Sequence, residues 1–277
     1  MKKIITMAYL SAMVLGSTMA FSSCSNDNND NNNTPNTAVN PKTVFTGGLP
    51  KSAAGMTIRT NEKGQVATVQ RSYEKATFEY IEPTTYATNS PNVIMTVENS
   101  EEETVRTCYL FLNKNGFVTR SDVTTFYKSN STYTQSHRTC GFTYNNDGQL
   151  LTVSTSFDDD DDVGKKTNII YNNGDIIAIS REHKNGREKE TTCRVYYTSP
   201  SVSSPIPNKG CIMAYGIDIP EEMEYAYYAG LLGKANKNLP VRVVNYGDDT
   251  IDLTWTLNSA GYPISLNDGY ETYSFEW

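Results

Sequence analysis

The chain has 277 residues, a net formal charge of −7, 19 tyrosines and two histidines. Its length is enough for one large domain or two small ones. The acidic balance and the lack of a basic patch argue against a nucleic-acid partner. A chain that is rich in tyrosine and threonine and poor in leucine favours strands over helices.

The N-terminus has the features of an export signal rather than of a folded segment. Two positive residues, Lys2 and Lys3, precede the mostly apolar stretch 4–21, which is short for a membrane span. The Phe-Ser-Ser-Cys sequence that ends at Cys24 resembles the lipobox of bacterial lipoproteins. The sequence therefore predicts a lipoprotein signal peptide over residues 1–23 and lipidation of Cys24. The alternative is an ordinary secretory signal followed by a chance cysteine.

Residues 24–43 are almost all asparagine, aspartate, threonine and proline. Such a segment cannot bury apolar surface, so it is predicted to be a disordered tether. The serine and the acidic, asparagine-rich run after the cysteine resemble lipoproteins of Bacteroides-type bacteria, in which acidic residues here accompany transport to the cell surface. We therefore expect an outer-membrane lipoprotein that contacts the membrane through its lipid anchor only and is surface-exposed rather than periplasm-facing.

Four cysteines follow the signal: Cys108, Cys140, Cys193 and Cys211. An exported protein can form disulfides, and Cys108 and Cys140 each end an Arg-Thr-Cys triplet. These two are the candidate disulfide pair, facing each other on neighbouring strands. The alternative is that both are buried free thiols. With no Cys-x-x-Cys spacing and only His137 and His183 available, no metal site and no cofactor is predicted.

Residues 44–277 are predicted to form a single all-β domain. Asparagine-rich turns with a glycine recur between strand-like segments, at residues 61–64, 113–116, 145–148, 172–174 and 258–261. Glycine takes the positive-φ position of a hairpin turn, and asparagine tolerates that position or hydrogen-bonds its own backbone. The unequal spacing of the turns excludes a solenoid of fixed period. The pattern predicts an antiparallel meander that forms a barrel-like or strongly curved sheet.

The strand predicted from Tyr133 indicates what the sheet meets on each side. One face carries Gln135 and His137, and the other carries Arg138 next to Cys140. A charged side chain that faces lipid at the bilayer midplane costs about 2–4 kcal/mol. Neither face suits lipid, so the sequence predicts a soluble sheet or barrel rather than a transmembrane one.

One segment departs from the β pattern. Residues 220–232 begin with proline and acidic residues and are followed by Gly233, which suits the two ends of a helix. Met223, Tyr227 and Leu231 fall on one face, which predicts a short helix near 220–232 whose apolar face packs on the sheet. Two interpretations stay open: a cap over a sheet end or barrel mouth, or a lid over a ligand cavity.

Several motifs resemble those of a known family. These are Thr46-Gly47-Gly48-Leu49-Pro50, the asparagine–glycine hairpins, the stretch from Tyr227 to Lys234, and Asn238-Leu239-Pro240. They are similar to a Bacteroides-type outer-membrane lipoprotein family of unknown function with a porin-like domain. The resemblance covers roughly residues 43–277. It implies an all-β, barrel-like domain and assigns no activity and no catalytic residues.

The sequence has no G-x-S-x-G motif, phosphate-binding loop or dinucleotide fingerprint, and it nominates no catalytic residue. We therefore expect a non-enzymatic binding module for an extracellular or periplasmic ligand. The candidates are a glycan stacked on tyrosine or tryptophan, a lipid inside the barrel, and an envelope protein partner. The alternative is a carboxylate-dependent hydrolase of the glycoside hydrolase type, whose two carboxyl groups would lie about 5–9 Å apart in a cleft.

Overall fold

The computed structural model describes residues 41–82, 90–129, 132–157, 160–183, 189–213, 219–247 and 249–277. The predicted signal peptide, Cys24 and most of the predicted tether lie outside these residues. The first described element is helix α1, Pro41–Val44, which begins within the last residues predicted for the tether. No helix among the described residues is long and apolar enough to cross a membrane.

The described residues are mostly strands. They are β1 Ser52–Ala53, β2 Met56–Thr60, β3 Val66–Arg71, β4 Glu74–Tyr80, β5 Val93–Asn99, β6 Thr104–Leu112, β7 Val118–Ser129, β8 Thr132–Tyr144, β9 Leu150–Phe157, β10 Asp160–Asn172, β11 Asp175–His183, β12 Lys189–Tyr196, β13 Ile206–Pro207, β14 Asn238–Leu239, β15 Arg242–Asn245, β16 Thr250–Asp252, β17 Thr254–Leu257, β18 Pro263–Asn267 and β19 Thr272–Glu276. A second helix, α2 Met223–Tyr228, lies between β13 and β14.

Seventeen of the strands form one antiparallel sheet, and β13 and β14 pair separately. From β1 to β12 each strand pairs with the next along the chain. At the two ends of this meander, β12 pairs with β15 and β1 pairs with β19. The sheet's outermost strands are β16 and β17, which only Leu253 separates in the chain. The two edge strands of the sheet are thus consecutive in the chain, so the sheet is a nearly closed barrel. This confirms the predicted antiparallel meander.

The five predicted asparagine–glycine turns join β2 to β3, β6 to β7, β8 to β9, β10 to β11 and β17 to β18. Because successive strands run in opposite directions, these turns lie at the same end of the sheet, which we call the Asn–Gly rim. In the first turn, the N–H of Gln65 donates to Oδ1 of Asn61 at 3.0 Å, and Gly64 has a φ of 78°. The N–H of Gln149 makes the same contact with Asn145 at 2.8 Å. The structure therefore contains the asparagine side-chain hydrogen bonds and the positive-φ glycine that the sequence predicts for these turns.

Helix α2 lies inside the barrel. Five of its six residues are buried: Met223, Tyr225, Ala226, Tyr227 and Tyr228. A helix with apolar side chains on nearly all sides belongs in a core rather than on a surface. These residues form one hydrophobic cluster with the inward side chains of the strands, among them Phe78, Met95 and Leu110. We call residues 219–239 the plug, since they fill the apolar interior of the sheet.

The plug is fastened to the Asn–Gly rim through backbone hydrogen bonds. The N–H of Val118 donates to the carbonyl of Leu231, and the N–H of Lys234 donates to the carbonyl of Gly148, both at 2.8 Å. A Cβ atom on Gly233 would lie 2.4 Å from that Gly148 oxygen, and Gly233 also has a φ of 81°. Only glycine fits this close approach of two backbones.

The prediction for the helix is partly confirmed. Met223, Tyr227 and Leu231 are buried as expected, with exposed fractions of 0%, 6% and 0%. The helix is shorter than the predicted 220–232, because Gly230 turns the chain with a φ of 77°. It is an internal element rather than a cap over the sheet end, and its burial on all sides does not suit a mobile lid.

Truncation of Tyr227 should destabilise the protein strongly. Its ring meets the ring of Phe45 edge-on at 5.8 Å between centroids, and its hydroxyl donates to the carbonyl of Cys211 at 2.7 Å. We expect Tyr227→Ala to lower the free energy of unfolding by about 3–5 kcal/mol, the range for large buried aromatic residues. Urea unfolding followed by circular dichroism measures this.

The matched control for that measurement is Tyr270→Ala, since Tyr270 is 80% exposed. This change should stay within about 0.5 kcal/mol of the wild type. A Tyr227→Ala protein as stable as the control would contradict the internal position of the plug.

Candidate functional site

The repeated Arg-Thr-Cys triplets lie on strands β6 and β8, with β7 between them. Arg106 lies opposite Thr125 of β7, and Thr125 in turn lies opposite Ser136 of β8. Arg138 lies opposite Val123. Because these residues are in the halves of the strands away from the Asn–Gly rim, they surround the other end of the barrel interior. Alternation along a strand puts each arginine on the same inward face as its cysteine.

A cavity of about 150 Å³ opens at this end of the barrel. It is lined by Arg106, Thr125, Tyr127, Ser136, Arg138, Glu221 and Glu222, and we call it the pocket. The strands supply the walls and the start of the plug supplies the two glutamates. Its lining thus combines guanidinium and hydroxyl donors with carboxylate acceptors around a single aromatic ring.

Two ion pairs join the plug to the walls. Glu222 pairs with Arg138, and its own side chain is only 1% exposed. Glu224 pairs with Arg71 at the end of β3, with 2.9 Å between Oε2 and Nη2. A buried charge that loses its partner is strongly destabilising. These pairs therefore fix the depth and rotation of the plug within the barrel.

Glu74, at the start of β4, lies behind the pocket and binds three neighbours. The hydroxyl of Tyr225 donates to Oε2 at 2.5 Å, and Nδ2 of Asn99 donates to Oε1 at 3.2 Å. Nη1 of Arg106 lies 3.4 Å from Oε1. Burial, together with the bond to Glu74, raises the pKa of the Tyr225 phenol, so that it stays a neutral donor. The Glu74 carboxylate is therefore fully engaged within the protein.

Arg106 faces more than one carboxylate. Besides Glu74, its guanidinium lies 4.0 Å from Glu102 and 4.0 Å from Glu221. The Glu221 side chain is 45% exposed and lines the pocket. Burial, and then the charge of Glu74, raise the pKa of Glu221 above its usual range against the opposing attraction of Arg106. The Arg106 guanidinium thus contacts three carboxylates. Of these three, only Glu221 lines the pocket, and its side chain is partly exposed to solvent.

Cys108 and Cys140 are buried and are free thiols. The expectation that they lie on neighbouring strands is wrong, because β7 separates their strands. Two strand spacings amount to about 10 Å, whereas disulfides rarely join Cα atoms more than about 7 Å apart. The structure favours the alternative of buried thiols. Burial, with Glu222 adding to it, raises the pKa of Cys140 to about 11, so this thiol stays protonated and unreactive at neutral pH.

The other residues considered from the sequence do not join the pocket. Cys24 lies outside the described residues. His137 is on the outer face of β8, where its Nδ1 lies 3.1 Å from the hydroxyl of Thr124. His183 is the last residue of β11. Within the part of the chain that the structure describes, no group of three histidine, cysteine or acidic side chains is placed to hold a metal ion.

The apolar half of the interior holds a smaller cavity, next to Tyr171, Ile176 and Tyr227, with a volume of about 20 Å³. A space of this size holds about one water molecule. This cavity is too small for a lipid, and the plug packs against the inward side chains beside it.

Residues 58–265 match the model of a family described as a domain of unknown function (DUF4595) with porin-like fold. The chain belongs to this family. A porin-like protein from Bacteroides uniformis ATCC 8492 is 20% identical with a TM-score of 0.52, over 79% of this chain and 87% of that one. One from Bacteroides vulgatus ATCC 8482 is 11% identical with a TM-score of 0.53, over 83% and 99%. These likenesses establish the fold and confirm the family resemblance. No curated protein matches the chain.

Sequence reasoning missed the residues of the pocket, although their signal was present. Arg138 shares its strand face with Cys140, and an arginine on such a face indicates an inward charge that needs a partner. In the sequence, the Arg-Thr-Cys repeat suggests a role for its cysteines and gives no partner for its arginines. Glu221 and Glu222 fit residues that complement the helix dipole, because nothing local connects them to strands more than 80 residues away.

Replacing Glu221 by glutamine should stabilise the protein at neutral pH but not in acid. Folding raises the pKa of Glu221, so the folded state disfavours the ionised form. This penalty is absent well below the usual glutamate pKa of about 4.3 and grows as the pH rises through the raised value. Urea unfolding at about pH 7 and about pH 3.5 measures the difference, which should appear only at the higher pH.

Glu79→Gln, on the exposed face of β4, is the control and should change stability by less than about 0.5 kcal/mol at either pH. A Glu221→Gln protein less stable than the wild type at neutral pH would show that attraction to Arg106 outweighs the cost of burial.

Proposed function

We propose that this protein is a lipid-anchored outer-membrane protein, exposed at the cell surface, whose domain binds a glycan in the pocket without chemical conversion. The export signal and the lipobox-like sequence ending at Cys24 support the anchor, and membership of a family with a porin-like fold is compatible with an envelope location. The observation that carries the binding role is the lining of the pocket: polar donors and acceptors around Tyr127.

The lining matches the chemistry of a sugar. Each sugar hydroxyl is both a donor and an acceptor, and the pocket offers both kinds of partner within one cavity. Arg106 and Arg138 donate, Glu221 accepts, and the hydroxyls of Thr125 and Ser136 do either. Ligand sites characteristically combine such placed polar groups with an aromatic surface. Tyr127 is 43% exposed, which leaves its ring available to stack on a sugar.

The pocket is formed in advance of binding. Its walls are paired strands, and its floor is held by the ion pairs Arg138–Glu222 and Arg71–Glu224. A ligand that enters such a site does not have to order the side chains around it, which reduces the entropic cost of binding. The rigid lining is therefore better suited to a specific ligand than to transient contacts with many.

The position of the pocket also suits a ligand from outside the cell. The described chain starts at α1, and the hydroxyl of Tyr262, next to the last Asn–Gly turn, donates to the carbonyl of Gly47 at 2.7 Å. The tether predicted from Cys24 would therefore join the domain at the Asn–Gly rim. The pocket is at the opposite end, so the proposed attachment of the tether does not cover it.

The second candidate function is a carboxylate-dependent hydrolase, and one observation favours it. Glu221 has a raised pKa, as a general acid requires, and the paired carboxylate of Glu222 lies in the same pocket. Two carboxyl groups in different environments are the usual arrangement for glycoside hydrolysis. However, Glu222 is 1% exposed and paired with Arg138, which makes it a structural group rather than a nucleophile open to substrate. We therefore prefer binding without hydrolysis.

The binding proposal predicts a specific role for Tyr127. The mature protein, purified in detergent micelles, is screened against an oligosaccharide array, and the affinity for the best ligand is measured by calorimetry. Tyr127→Ala should weaken binding by about 0.5–1.5 kcal/mol, or up to about tenfold, the range for an aromatic contact.

Tyr109→Ala is the matched control, because Tyr109 is 39% exposed but lies on the outer face of β6. It should leave the affinity unchanged. Equal affinities for the wild type and Tyr127→Ala would remove the pocket from the binding site, and release of shorter sugars during the measurement would favour the hydrolase.

The anchor is tested separately at Cys24. Cells that express the protein and are grown with a labelled fatty acid should incorporate the label into the wild-type chain. Cys24→Ala should abolish this incorporation, since the cysteine thiol is the acceptor in bacterial lipoproteins. Cys211→Ser, which removes a thiol of the folded domain, should keep the label. Labelling of the Cys24→Ala protein would refute the assigned lipidation site.

A further inference from the structure

We propose that the ligand presents a protonated amino group to Glu221, so that the pocket selects amino sugars over N-acetylated and acidic sugars. This inference rests on the proposed glycan-binding function and names the ligand class of the same site. It follows from the balance of charge around the cavity, from the accessibility of the carboxylates that line it, and from the groups next to Glu221.

The charges around the pocket do not cancel. Arg138 pairs with Glu222, and Arg71 pairs with Glu224, which leaves both guanidinium groups neutralised. Arg106 has contacts with three carboxylates, those of Glu74, Glu102 and Glu221. The lining itself holds two guanidinium groups and two carboxylates, and Glu74 and Glu102 bring two further carboxylates to Arg106. The excess of negative charge is therefore centred on Arg106. An acidic sugar would have to displace a carboxylate from its arginine, whereas a cation completes the balance.

Glu221 is the carboxylate that such a cation reaches. Glu222 also lines the pocket but is 1% exposed, and Glu74 behind it is 7% exposed and hydrogen-bonded to Tyr225. Glu221 is 45% exposed and lies at the 4.0 Å limit of its contact with Arg106. It therefore keeps free acceptor positions towards the cavity. A positive group placed there also relieves the repulsion from Glu74 that helps to raise the pKa of Glu221.

The other side chains of the pocket suit an ammonium group. Thr125 and Ser136 occupy directly paired positions on β7 and β8, so their hydroxyls are neighbours on the wall. An ammonium group has three donors, which one carboxylate and two hydroxyls satisfy. The ring of Tyr127 adds an attractive surface for a cation. A divalent metal ion fits less well, because it needs several converging carboxylates and two of those nearby are already engaged.

The test uses matched pairs of sugars. The mature protein in detergent micelles is titrated with oligosaccharides of glucosamine and galactosamine, with their N-acetylated counterparts, and with uronic acid oligomers of equal length. An amine and its N-acetylated counterpart differ in the charge on the nitrogen and in the acetyl group, so the Glu221→Gln variant below is needed to separate charge from size. We expect the free amine to bind at least about tenfold more tightly than its acetylated form, the effect of a hydrogen bond between charged groups, and the uronic acid oligomers to bind weakest.

Glu221→Gln keeps the shape of the side chain and removes its negative charge. The variant should therefore bind the amine no more tightly than the N-acetylated sugar, while binding of the N-acetylated sugar persists. Glu79→Gln, on the exposed face of β4, should keep the preference. Equal affinity for amine and acetylated sugars, or a preference that survives in Glu221→Gln, would overturn this inference but leave glycan binding intact. A protein that binds none of the sugars would overturn the proposed function as well.

Discussion

The width of the sheet is the constraint on which the rest of the structure depends. Barrels of about eight strands are filled by their own side chains, whereas those of about 16–18 strands leave an aqueous channel. The sheet described here has 17 strands, so its inward side chains alone cannot fill it. The chain solves this with the plug, whose helix is buried on all sides. The interior of the porin-like sheet is therefore occupied by a segment of the same chain.

The ends of the plug meet the barrel in two different ways, and this difference creates the site. At the Asn–Gly rim, backbone groups of Leu231 and Lys234 bond directly to the strands and turns, and Nε2 of Gln149 donates to the carbonyl of Ala235 at 3.1 Å. At the other end, the helix begins with acidic residues, which must be paired because they lie in a partly buried layer. Arg71, Arg106 and Arg138 provide the partners. The pocket is the space that remains where this charged layer meets solvent.

The sequence was informative wherever structure is decided locally. The turn from Asn145 to Gly148 forms as predicted because its hydrogen bonds involve residues four apart or fewer. The plug was predicted as a helix but not as an internal one, because its location depends on contacts such as that between Lys234 and Gly148, 86 positions apart. The pocket depends on the same long-range placement. The two Arg-Thr-Cys triplets belong to one wall of the pocket because β7 pairs with both of their strands. This pairing joins segments that are distant in the sequence.

The same geometry explains why the proposed ligand site and the proposed anchor would lie at different ends of the barrel. Residues 44–48 lie beside the Asn–Gly rim, where Pro41 lies within van der Waals reach of Gly230 and Gly47 accepts a hydrogen bond from Tyr262. The charged layer is at the far end of the strands, where carboxylates outnumber guanidinium groups around Arg106. The plug connects these two ends, because its backbone bonds to the Asn–Gly rim and its glutamates pair with the arginines of the charged layer.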